Sequence, residues 1–294
     1  MHDLRKAIAW MAGTLVSFSA LAISVREMSA GLTVFEILAL RAFGGIVILA
    51  VYAALAREPI GPPRPLRIHL LRNVFHFGGQ ACWAYGLTVL PLATVFALEF
   101  TTPAWTLLLA VTFLRERLTT ARIGAVVLGF IGVLIILRPG VGTFQPAGLV
   151  VLLAAAMFGV QITTTKFLTG TNSVLTILFW MNVMHLPMYL AADAATGGAV
   201  WFLPKLVPAT WPWVALLCGA GLSAHVCLTS AFRHGEATTV VPIDFLRIPV
   251  IALLGVLIYG ERFDPVVLLG AAVSASGIIW SLRDTARAGA PARG

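Results

Sequence analysis

The chain has 294 residues, of which 59% are apolar and only 11% charged, with a mean hydropathy of +0.94. Soluble domains carry roughly 25% charged residues, so this chain lacks the polar surface a water-soluble fold needs. The net charge of +8 would fit nucleic-acid binding in a soluble protein, but in a membrane protein the placement of Lys and Arg matters more than their sum.

The apolar residues come in long unbroken runs rather than alternating, which argues against a membrane β-barrel. A spanning helix takes about 20 apolar residues. Ten such runs lie near 7–25, 33–56, 69–89, 91–114, 120–137, 146–168, 173–192, 212–232, 238–259 and 265–282. The connections are short, leaving no room for a water-soluble domain. An all-α membrane protein of ten transmembrane helices is therefore expected. With the amino terminus inside, 14 basic residues, Arg72 among them, fall on the cytoplasmic side. Only Arg26, Arg138, Lys205 and Arg262 fall outside, while Arg41 and Arg247 fall within spans. That bias places both termini in the cytoplasm and reads the basic charge as a topology signal, with no nucleic-acid partner expected. Arg5 and Lys6 ahead of an apolar run resemble a signal peptide, but the run continues to Val25 and cleavage would break the repeat described next. Cys82, Cys218 and Cys227 sit inside apolar runs, odd in number and without a C-x-x-C, so neither a disulfide nor a metal site is expected.

A shift of 145 residues lays 93–133 on 238–278. Thr94 meets Thr239, Glu99 meets Asp244, Phe100 meets Phe245, Glu116-Arg117 meets Glu261-Arg262, and Gly132 meets Gly277. The preceding helices bring Gln80 onto His225. Polar residues are rare here, so their coincidence gives the match its weight. Each half, 1–138 and 139–294, then holds five spans, and an odd number sets the second half upside down relative to the first. Inverted repeats are a recurring transporter design with the substrate site between the halves. The expectation is two inverted five-helix repeats around a central cavity.

The stretch Pro91-Leu92-Ala93-Thr94 into a Glu-bearing apolar helix, then Leu114-Arg115-Glu116-Arg117, Gly124 and Gly129-Phe130-Ile131-Gly132-Val133, resembles the signature of the drug/metabolite transporter superfamily. In its EamA-type members the signature stands once per half. The second copy reads Tyr259-Gly260-Glu261-Arg262, then Gly270 and Ser274-Ala275-Ser276-Gly277, with Ser274 where the first copy has Gly129. The resemblance covers the whole chain in length, helix number and duplication. It implies a secondary transporter in a bacterial inner membrane, needing no cofactor. Likeness to the bacterial amino-acid exporters of this group points to amino acids or similar small metabolites as substrate, with efflux of hydrophobic cationic drugs as the alternative.

Ionisable groups inside spans are costly and usually face a partner or a path. Those of this chain are Glu36, Arg41, His76, Glu99, His185, His225, Asp244 and Arg247. Asp244 and Arg247 share a helical face between Pro242 and Pro249, and Pro103 follows Glu99 by four residues. Proline removes a backbone donor, so an acid beside a proline at both repeat-related positions marks a path. In that reading Arg247 clamps a substrate carboxylate through its planar fork, and Glu99 or Asp244 meets an amino group or a proton. The competing reading is a closed Asp244–Arg247 pair that only locks the ninth helix. His76, Gln80 and Trp83 form one helical stripe suited to a small zwitterion or aromatic ring, and His225 faces Gln80 by the repeat. Interhelical bonding would explain His76 and Gln80 equally. His185 lacks a repeat partner and reads as structural. Arg41 fits two roles, binding an acid such as Glu36 or Glu99, or touching substrate. The expected substrate residues are thus His76, Gln80, Trp83, Glu99, His225, Asp244 and Arg247.

Gln161 with Thr164, and Thr14 with Ser17, read as interhelical glue as readily as ligands. Gly124, Gly129, Gly132, Gly270 and Gly277 mark small-residue seams, within the protein or between protomers of a homo-oligomer. Glu116 and Glu261 read as local pairs or caps, and Trp201, Trp211 and Trp213 as interfacial anchors. No P-loop, H-E-x-x-H or nucleophile elbow is present, so an enzyme is not expected.

Overall fold

The computed structural model describes residues 4–102, 104–106, 109, 120–138, 145–168, 170–198, 203–234 and 247–288. Among them ten α-helices follow one another: α1 (Leu4–Met28), α2 (Val34–Ala56), α3 (Leu66–Val89), α4 (Leu92–Glu99), α5 (Thr120–Leu137), α6 (Ala147–Leu168), α7 (Val174–Ala195), α8 (Trp211–His234), α9 (Arg247–Tyr259) and α10 (Pro265–Ala288). No strand occurs among the described residues. Five segments are long and apolar enough to cross a bilayer: Ile8–Met28, Val34–Ala56, Ala147–Thr165, Val174–Ala195 and Pro208–Leu228. Helix α3 is 24 residues long but carries His69, Arg72, Asn73, His76 and Gln80, all buried, and this polar stripe lowers its mean hydropathy.

Helices pack in pairs: α1 with α8, α2 with α7, α3 with α6, α4 with α9, and α5 with α10. Exchange of each helix with the one five places on leaves this pattern unchanged, because α1·α8 and α3·α6 swap. A single apolar cluster takes Leu21, Ile37, Trp83, Phe96, Val133, Val151, Tyr189, Leu217, Ile251 and Ala271, one from each helix. Apolar side chains such as Val16, Leu55 and Leu257 point outward, as a lipid-facing surface requires.

Local chemistry fixes the ends. Thr33 begins α2 with a capping box: its hydroxyl accepts from the Glu36 N–H at 3.1 Å and the Glu36 carboxylate accepts from the Thr33 N–H at 2.8 Å. Each satisfies a backbone donor that the helix start leaves over. Glu36 also receives Lys205 Nζ at 2.6 Å. It lies in the first turn of the segment Val34–Ala56 and caps that helix, a role the sequence expectation did not give it. Arg72 needs a correction. Instead of reaching the cytoplasm it is buried inside α3, donating to Thr165 Oγ1 at 2.7 Å and Asn73 Oδ1 at 2.8 Å.

Helix α4 stops at Glu99, with Phe100 and Thr101 in a turn, and helix resumes at Thr102. The sequence Thr101-Thr102-Pro103 accounts for this. Proline has no N–H for the Glu99 carbonyl four residues back, and the Thr102 hydroxyl donates to that carbonyl instead, at 2.6 Å. Thr101 does the same for Leu98 at 2.7 Å.

Candidate functional site

The break in α4 sets Glu99 among three helices. Its Oε2 accepts from the Trp83 indole N–H at 2.7 Å, and its Oε1 lies 3.7 Å from Arg247 Nη1. The Arg247 guanidinium stands over three rings, 4.3 Å from Phe18, 4.7 Å from Phe100 and 5.3 Å from Phe96. Aromatic faces attract a cation while excluding water, so Arg247 is held by a carboxylate on one side and by π-faces on the others.

Phe18 carries the cluster onward, its ring edge-on to His225 at 6.2 Å between centroids. His225 meets His76 at 6.1 Å, and His76 meets His185 at 5.1 Å. His185 Nε2 donates to the Asn73 carbonyl at 3.0 Å, and the ring tilts against Tyr189 at 5.5 Å. Gln80, one turn beyond His76, is also buried. The structure thus brings together His76, Gln80, Trp83, Glu99, His225 and Arg247, drawn from α3, α4, α8 and α9. Asp244, with Pro242, lies outside the described residues, as do Pro103, Glu116 and Trp201.

The cation Arg247 reaches the acid of the other half, Glu99, a pairing that local spacing does not suggest. His185, read from sequence as structural, stands in the histidine cluster against His76. Its signal was the wall of histidine, tyrosine and arginine that only packing assembles. Among the described residues no group of three or more His, Cys, Asp or Glu could hold a metal ion. Gln161 joins the edge of this cluster, donating to Thr165 at 2.9 Å, which also accepts from Arg72, whereas Thr14 donates to the Trp10 carbonyl of its own helix at 3.1 Å.

Glu261 does not pair with its neighbour Arg262. It binds Arg26 of α1, whose guanidinium also donates to the carbonyls of Leu87 and Leu90, and it accepts from the Leu92 N–H at the start of α4. Arg138 meets Asp264 at 2.6 Å. With Lys205–Glu36, these are three ion pairs that join the first half of the chain to the second.

The chain matches the model of the EamA-like transporter family twice, over residues 5–138 and 145–283. It is 30% identical over 281 residues to the S-adenosylmethionine uptake transporter of Rickettsia bellii, covering 93% of each protein. It is 34% identical over 222 residues to the riboflavin transporter of Rhizobium johnstonii, covering 74% of this chain and 71% of that protein. A solved structure that is 17% identical superposes with a TM-score of 0.65 over 97% of this chain and 99% of that one, a likeness of fold.

Proposed function

The chain belongs to the EamA-like transporter family, and we propose that it is a secondary transporter that exports amino acids or similar small metabolites across the bacterial inner membrane. The two halves work as inverted repeats, and alternating access proceeds by their rocking about the cluster at the α4 break. The observation that carries this reading is the Glu99–Arg247 contact at 3.7 Å. It joins the halves at a place where helix is interrupted, beside Trp83, His76, Gln80 and His225. Interrupted helices with free backbone groups and charged side chains at a repeat interface suit a midplane substrate site.

Efflux of hydrophobic cations fits this geometry less well. That reading takes Glu99 and Asp244 as counter-charges, and Glu99 is engaged by Trp83 and Arg247 while Asp244 lies outside the described residues. The Rickettsia bellii relative is named for uptake and a Pseudomonas aeruginosa relative for export. S-adenosylmethionine carries an amino-acid group, so the same site chemistry serves both directions.

Counterflow in proteoliposomes tests the proposal, with labelled methionine, tryptophan, S-adenosylmethionine and one lipophilic cation. Saturable exchange of an amino-acid-bearing probe supports it. Exchange of the cation alone contradicts it.

A further inference from the structure

Arg41 sits about two turns into α2, 5% exposed, with its Nε and Nη2 making no hydrogen bond. Burying an unsatisfied polar group is costly, and a buried charge without a partner far more so. The two acids that sequence reasoning offered to Arg41 are both engaged elsewhere, Glu36 with Lys205 and Glu99 with Trp83 and Arg247. No ion pair joins Arg41 to any described acid. The stem of Arg41 runs past Gly221, where an added Cβ would come within 3.2 Å of its Cδ. Its charge bears on His76, His185, His225 and Tyr189. The hydroxyl of Tyr189 lies within reach of the Arg41 guanidinium, and Nδ1 of both His76 and His185 is buried without a hydrogen bond.

Tyr189 packs in turn against His185 and His185 against His76, so the guanidinium, the hydroxyl and the histidines are neighbours. Nε and Nη2 lie on one edge of the guanidinium, so their two N–H groups run parallel and match an acceptor with two oxygens side by side. We propose that Arg41, helped by the Tyr189 hydroxyl, is the carboxylate-binding residue of the substrate site. Arg247, caged by three phenylalanines and Glu99, is a positioning cation for that acid. The inference rests on the transporter reading above and names the substrate class: a monoanionic carboxylate, with the rest of the molecule reaching toward His76 and Trp83.

The test compares counterflow of methionine, tryptophan and S-adenosylmethionine with that of their carboxamides, which keep shape and lose the anion. Wild-type protein is expected to favour the acid of its preferred probe by about tenfold or more, the range of a charge-assisted bidentate contact. Arg41→Gln is expected to weaken the acid and leave the amide, closing the gap, so that amide exchange reports folding. Arg41→Lys, a point charge without the fork, is expected to keep an intermediate preference and carries the test where Arg41→Gln does not reach the membrane. Tyr189→Phe is expected to reduce the preference in the same sense. An equal loss for acid and amide in Arg41→Lys and Tyr189→Phe, or no loss in any variant, overturns the carboxylate assignment alone. A wild-type protein that exchanges none of the probes overturns this assignment together with the proposed function.

Discussion

Ser274 donates its hydroxyl to the backbone carbonyl of Gly129 at 3.2 Å. The two residues stand 145 positions apart, the offset that lays one half of the sequence on the other. A residue that touches its own repeat partner sits where corresponding faces of α5 and α10 meet. The neighbouring contacts agree, since Gly132 against Gly270 and Gly277 against Ala125 are images of each other under the same offset. The exchange of glycine for serine between the two copies therefore has a use: the hydroxyl adds an interhelical hydrogen bond at a position too tight for a larger side chain.

The α5–α10 seam should not admit a methyl group. A Cβ on Gly132 would meet Ser274 Oγ at 2.0 Å and the Gly270 backbone oxygen at 2.4 Å, and backbone cannot give way without parting the helices. Gly132→Ala is expected to destabilise by about 1–3 kcal/mol, read as a lower melting temperature in detergent. Gly31→Ala, where nothing lies within 4 Å of the added atom, is expected to stay within about 0.5 kcal/mol of wild type.

Of the ion pairs between the halves among the described residues, the three other than Glu99–Arg247 lie on the face that the charge bias assigns to the outside, and they should differ in importance. Arg26–Glu261 is 15% exposed on both sides, whereas Arg138–Asp264 is 27% and 42% exposed, and exposed pairs hold little. Thr94 lines the same crevice as Glu261. In a background without native cysteines, Glu261→Gln is expected to raise labelling of Thr94→Cys by a membrane-impermeant maleimide severalfold. Asp264→Asn is expected to leave it unchanged.

Glu99 and Arg247 should be coupled. Removing one partner takes away part of what holds the other's charge in the interior, at a cost of up to about 3–5 kcal/mol. Removing both is expected to cost less than the sum of the single losses. A thermodynamic cycle on Glu99→Gln, Arg247→Met and the double variant is expected to give a coupling above about 1 kcal/mol, and strict additivity would contradict the pairing.

Orientation is open to a direct check. With the amino terminus inside and ten spans, a reporter active only outside the cytoplasm is expected to be silent at either terminus and active when inserted in the 195–211 connection. Activity at one terminus alone would require an odd number of spans.

Much of the helical architecture was readable, because apolar runs of spanning length and the polar coincidences at offset 145 do not depend on packing. What escaped notice turned on where an apolar run ends and on which charges meet. Glu36 stands three residues after Thr33, a capping-box spacing, yet it fell inside a long apolar run and read as intramembrane. Arg72, near the edge of its run, read as a cytoplasmic loop charge, although it and Asn73, His76 and Gln80 share a buried stripe. For Arg247 the local i−3 spacing pointed to Asp244, which lies outside the described residues, and the contact with Glu99 comes from the packing of α4 on α9. Arg41 was legible only as a choice between an acid and a substrate, since the commitments of Glu36 and Glu99 emerge from tertiary structure.

The central claim is that residues of both halves, gathered at the α4 break, bind and carry a small amino-acid-type metabolite. Counterflow in proteoliposomes tests this most directly, with methionine, tryptophan, S-adenosylmethionine and a lipophilic cation offered to wild-type protein and to His76→Ala, Glu99→Gln and Arg247→Met. Saturable exchange of an amino-acid-bearing probe that falls by at least about tenfold in these variants, with folded protein retained, is the expected result. Exchange of the cation alone, or amino-acid exchange indifferent to all three substitutions, would contradict it.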